Sequence, residues 1–148
     1  MTAPMLSSCR SNLVSFVLGC DNGINPIGAA MKNYLAVFIG TASALEKSQW
    51  NTLDEAKRRE LQAAGLKAWE EWIKQNQAAI IDHGTPLGKT KRASRAGIDD
   101  IKNNMTGYAL VRAETHDAAA RLFENHPHFT IFPGDSVEIM ECLPLPGQ

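Results

Sequence analysis

Apolar and polar positions first fall into a regular pattern at Asn33. The run Asn33-Tyr-Leu-Ala-Val-Phe-Ile-Gly40 is rich in β-branched and aromatic residues and ends at glycine, so it predicts a strand. Tyr34, Ala36 and Phe38 share one face and Leu35, Val37 and Ile39 the other. A strand apolar on both faces has to be covered on both sides. Thr52-Leu-Asp-Glu55 has the spacing of a capping box, with Thr52 as the cap, and predicts a helix to about Gln75. Leu61, Gly65, Leu66, Trp69, Trp72 and Ile73 recur along it at three- and four-residue steps as one buried face, weakened at its middle by Gly65. Ala78 to Asp82 is a second short strand, and Gly84-Thr-Pro-Leu-Gly88 is turn chemistry. Lys89 to Ser94 and Ile98 to Lys102, joined at Arg95-Ala96-Gly97, predict a polar hairpin. Gly107 to Glu114 is a central strand. Thr115 caps a helix with Ala119, Leu122 and Phe123 on its apolar side, and Val137 to Leu143 is a last strand stopped by Pro144.

This order is a βαβ unit, a hairpin insertion and a second βαβ unit. It predicts an α+β fold: a ferredoxin-like βαββαβ sandwich with both helices on one sheet face. The bare face then needs a cover, and a homodimer through that face is the expected partner. The domain is placed at residues 31–148. Residues 1–30 form an N-terminal extension with no lasting period, and Met31 stands directly before the first good strand. Val17-Leu-Gly-Cys20 also resembles a lipoprotein cleavage box, which leaves lipid attachment at Cys20 as the minor alternative to a cytoplasmic protein.

Composition narrows the function classes. With 44% hydrophobic and 21% charged residues, the chain is an ordinary globular one. A formal net charge of -1 argues against general nucleic-acid affinity. Lys89, Lys91, Arg92 and Arg95 form the one basic cluster, but no aromatic residue is interleaved for base stacking, and Asp99 and Asp100 face it. No apolar run approaches the roughly 20 residues a membrane span needs. Cys9, Cys20 and Cys142 are odd in number and widely spaced, which fits neither a disulfide framework nor a metal site and points to a reducing compartment. Gly84-Thr-Pro-Leu-Gly88-Lys-Thr90 is not a phosphate loop: it has three residues between its glycines instead of four, and a hairpin follows instead of a helix. No cofactor is expected.

The candidate chemistry lies in three histidines and the residues around them. His83 follows the second strand, where it either bonds turn backbone or meets a carboxylate such as Asp135 or Glu138. His126 falls on the buried stripe of the second helix. If His126-Pro-His128-Phe129 is extended, both imidazoles point the same way, with Asp135 a possible third group. We take His83, His128 and Asp135 as catalytic candidates, and His126, Phe129, Trp69, Tyr108 and Arg112 as candidate contacts to a small organic ligand. Each also has a structural reading: Trp69 and Trp72 as helix-face core, Phe129 as core closure, and Arg112, on one face with Tyr108 and Leu110, as an interface group seeking an anion.

The strand Tyr34–Ile39, Gly84-Thr-Pro-Leu-Gly88, Gly107-Tyr-Ala-Leu-Val-Arg-Ala, Ala118-Ala-Ala and His126-Pro-His-Phe, in that order, resemble the YCII-related family from Met31 to about Pro144. The resemblance implies a ferredoxin-like domain that pairs sheet to sheet as a dimeric α/β barrel. It also implies, for some relatives, a His–Asp pair with the histidine on the first long helix, used in dehalogenation or related proton transfer. The helix from Thr52 to Gln75 contains no histidine, so that pair does not carry over. Acid/base chemistry of a lyase or isomerase type on a small organic acid or aromatic is the implied activity, and a non-catalytic dimeric module is its alternative.

Overall fold

A computed structural model describes residues 29–147, so Cys20 and nearly all of the N-terminal extension lie outside the described residues. The chain is a mixed α+β protein built on a four-stranded antiparallel sheet, with strands β1 (Lys32–Ile39), β2 (Ile80–Asp82), β5 (Met105–Ala113) and β6 (Ser136–Glu141) in the order β2-β5-β1-β6. β3 (Thr90–Ser94) and β4 (Gly97–Ile101) form a separate two-stranded ribbon. Lys91–Asp100 and a two-pronged Arg92–Asp99 pair cross this ribbon. The basic cluster of the sequence is thus largely answered by its own hairpin.

Register places Tyr34, Ala36 and Phe38 of β1 on one face with Val111, Ala109 and Gly107 of β5 and with Ile139 and Val137 of β6. That face is the core. Trp72 and Ala119 from the helices, with Phe123 from the turn that follows the second of them, close over Tyr34, Ala36, Phe38 and Val111. Both helical layers therefore lie on one side of the sheet, and the period-2 alternation of β1 decides which side chains they cover. The opposite face carries Leu35, Val37, Tyr108, Leu110 and Met140, with Arg112 and Glu138 among them. Val37 is buried, whereas Met140 is 44% exposed. No helix among the described residues is long and apolar enough to cross a membrane.

The long helix α2 (Glu55–Gln75) begins later than the capping box predicts. Its cap is Asp54, whose carboxylate accepts from the Lys57 amide at 2.7 Å. Thr52 ends a 3₁₀ turn over Trp50–Thr52, and its hydroxyl donates to the Gln49 carbonyl. Two cap residues stood close together, and the one nearer the apolar run won, because an ionised carboxylate at a helix N-terminus is the stronger acceptor. A short helix α1 (Ala42–Lys47), capped by Thr41, was not foreseen. Helix α3 (His116–Arg121) is capped by Thr115 as expected. His116 stacks on Tyr34 and donates from Nε2 to the Ile139 carbonyl at 2.7 Å, tying α3 to the edge strand β6. The histidine-proline segment is not extended: it forms a single-turn helix α4 (Pro127–Thr130), with His126 as its N-cap.

Candidate functional site

A cleft of about 590 Å³ opens between α2 and the end of the sheet. Phe38 and Trp69 form its apolar wall, and Leu66 and Phe132 its rim. His83 to Pro86 and Thr106 to Tyr108 close the side nearest the ribbon. Pro86 bridges Gly107 and the Leu87 amide donates to the Thr106 carbonyl, so the turn after β2 is fastened to β5 beneath the cleft.

Phe132 reaches this rim because α2 has no side chain at Gly65. A Cβ there would stand 2.5 Å from Phe132 Cζ. The glycine that weakens the helix as a sequence is the seat of a ring from a distant loop. Gly65→Ala is expected to change stability by under about 1 kcal/mol, because the gain in helix propensity is set against displacement of the ring. The same substitution should shift tryptophan emission, since Phe132 lies 6.2 Å from Trp69 and 6.1 Å from Trp50, centroid to centroid. Urea unfolding and fluorescence spectra together check both halves.

Two imidazoles border the cleft. His83 is exposed, and its Nδ1 donates to the Gly84 carbonyl at 3.1 Å, the turn-bonded arrangement. Among the described residues no carboxylate bonds it: Asp82 instead accepts from the Gly84 amide at 2.8 Å. His128 is 8% exposed and donates from Nε2 to the Ile39 carbonyl at 2.8 Å. A carbonyl can only accept, so the proton sits on Nε2 and Nδ1 keeps its lone pair. Burial lowers the His128 pKa, while the Ile39 carbonyl and the Asp135 carboxylate pull it the other way. The ring is therefore held in its neutral, proton-accepting form.

Four of the candidate residues, His83, His128, Trp69 and Tyr108, border the cleft, Tyr108 at the strand end where register assigns its side chain to the opposite sheet face. The others do not. Asp135 accepts from Thr41 at 3.3 Å and from Ser136 at 3.2 Å, and its own amide shares the Ile39 carbonyl with His128. It acts on the imidazole through charge and forms no His–Asp dyad. Phe129 and Asp135 line a separate shallow depression with Val137 and Ile139. Arg112 lies exposed on the opposite sheet face, in register with Asn33. His126 is 0% exposed, and its Nδ1 accepts from the His128 amide at 3.1 Å. His126 Nδ1 and His128 Nε2 are thus both engaged by backbone groups. Among the described residues no three His, Cys, Asp or Glu side chains are grouped to hold a metal.

The two tryptophans divide the readings between them. Trp72 is core, with its indole N–H donating to the Leu122 carbonyl at 2.7 Å, and Trp69 is cleft wall. Phe38, Thr85, Pro86 and Thr106 were not singled out for the site. Phe38 alone left a signal, as the large ring at the end of a strand that runs into a glycine.

No protein-family model matches the chain, and no curated protein matches it. Among solved structures it is similar to 5-chloro-2-hydroxyhydroquinone dehydrochlorinase (TftG) from Burkholderia phenoliruptrix AC1100, in complex with 2,5-dihydroxybenzoquinone. That chain is 16% identical, with a TM-score of 0.41, over 73% of this chain and 90% of its own.

Proposed function

We propose that the chain is a YCII-related, ferredoxin-like protein that pairs through its bare sheet face, and that its cleft binds a small flat organic molecule on which His128 moves a proton. The observation that carries this reading is the pairing of an aromatic-walled cleft with an imidazole whose tautomer is fixed by a backbone carbonyl. A neutral imidazole with a fixed Nε2–H presents Nδ1 as a base. It would take a proton from a carbon or hydroxyl next to a carbonyl or ring. The resulting imidazolium keeps its bond to Ile39 and gains the nearby Asp135 charge. Return of the proton to another substrate atom completes an isomerisation, and its transfer to a leaving group completes an elimination. The lining holds no Lys, Arg, Asp or Glu. An ionised acid would lose hydration there without a countercharge, so a neutral aromatic or enolisable ring suits the cleft better than an organic acid.

A thermal-shift screen of hydroxylated aromatics and organic acids tests the reading, since a ligand at 100 times its Kd stabilises by about 2.7 kcal/mol. His83→Ala is expected to weaken a hit. His128→Gln keeps a donor for Ile39 and is expected to bind but to lose turnover by about 100-fold or more. Normal binding and turnover in both variants would remove the site assignment. The missing His–Asp dyad favours the second reading, a binding module whose histidines are structural. That reading predicts ligand binding with no turnover in the wild type.

A further inference from the structure

The register of the bare sheet face places its charges diagonally. Across β5, β1 and β6 the opposed residues are Arg112 and Asn33, then Leu110, Leu35 and Met140, then Tyr108, Val37 and Glu138. Arg112 and Glu138 thus sit at opposite corners of an apolar patch, with Leu35 midway between them. Both are exposed, and neither makes an ion pair among the described residues. A cation on a largely apolar sheet face needs an anion; its strand neighbours on β1, Asn33 and Leu35, offer none, and Asp82 of β2, in register with Leu110, accepts from the Gly84 amide and makes no ion pair with it.

Two identical faces can meet only about a two-fold axis lying in the plane between them, which makes every contact reciprocal. An axis through Leu35, perpendicular to the line from Arg112 to Glu138, sets Arg112 of each copy over Glu138 of the other. It also sets the Leu35 side chains against each other, and leaves neither of these charges unmatched. We propose that a second copy of this chain seats on this face, with reciprocal Arg112–Glu138 ion pairs flanking a contact centred on Leu35. The pairing rests on the sheet-face dimer proposed above and specifies its orientation.

Sedimentation velocity of the full chain over a concentration series tests it. The wild type is expected to dimerise. Arg112→Glu and Glu138→Arg each put like charges together twice and are expected to raise the dimer Kd by about tenfold or more. The double variant R112E/E138R restores opposite pairs and is expected to return to within about threefold of wild type. Unchanged single variants, or a double variant no better than the worse single one, would overturn the pairing. If Leu35→Asp dissociates the dimer while the charge variants do not, the face stands as the interface and the pairing alone falls. A wild-type monomer removes both.

Discussion

Gly84→Ala is expected to cost about 3 kcal/mol or more, a large share of the roughly 5–15 kcal/mol that holds a domain together. Gly84 has φ 66°, a left-handed backbone that costs an L residue with a Cβ about 1–2 kcal/mol. The larger part is steric. A Cβ at Gly84 would overlap the carbonyl oxygen and carbon of Tyr108, which belong to the central strand and cannot swing aside as a side chain can. Relief means lifting the turn from β5. That lift strains the Gly84 amide bond to Asp82, the His83 bond to the Gly84 carbonyl and the Pro86–Gly107 bridge together. The turn is also one wall of the cleft, so ligand binding should fall with stability. Urea unfolding measures the first effect; a loss under about 1 kcal/mol would show that the turn repacks freely.

The strands and their order were legible because alternation and turn residues are local signals. The strand at Asn33–Gly40, the ribbon around Gly97 and the Thr115 cap needed no tertiary information. The site was legible only in part, because backbone from elsewhere intervenes. The Asp135 charge acts on the His128 imidazole, yet the Ile39 carbonyl accepts from the His128 ring and from the Asp135 amide, and the two side chains form no dyad. No spacing rule reveals a carbonyl from another strand. Gly65 is a similar case: propensity correctly marks it as a poor helix residue, and the ring that justifies it comes from the far end of the chain. The Thr52 box failed for a local reason. Its pattern was present, but Asp54 offered a charged acceptor two residues later. Arg112 lies on the sheet face opposite the core and does not line the cleft, because the period-2 alternation of β5 turns it away from the side of Ala109 and Val111.

Between about pH 6.5 and pH 4 the fold is expected to lose about 3 kcal/mol through one side chain, His126. Its imidazole is fully buried, ringed by Phe38, Trp69, Trp72 and Phe123. The Nδ1 lone pair is taken by the His128 amide, so the proton is on Nε2, which has no hydrogen-bond partner among the described residues. Two ring edge-to-face contacts at 4.6 Å, with Trp69 and Trp72, are its neighbours, and an N–H against an aromatic face is only weakly held. Burial, helped by the nearby His128, pushes the pKa down from 6.5 to about 4. In that window the unfolded chain binds a proton that the folded chain refuses. Stability is therefore complete above about pH 6.5, declines as the pH falls, and flattens below about pH 4. His128, whose pKa is also lowered by burial, adds in the same direction. His126→Asn removes the titration and keeps an acceptor for the His128 amide, since asparagine is a favoured helix cap. The variant should be less stable at neutral pH because it leaves space among the aromatic rings, yet its urea midpoint should change less with pH than that of the wild type. Equal slopes in the two proteins would mean that the acid sensitivity comes from the carboxylates and not from the caged imidazole.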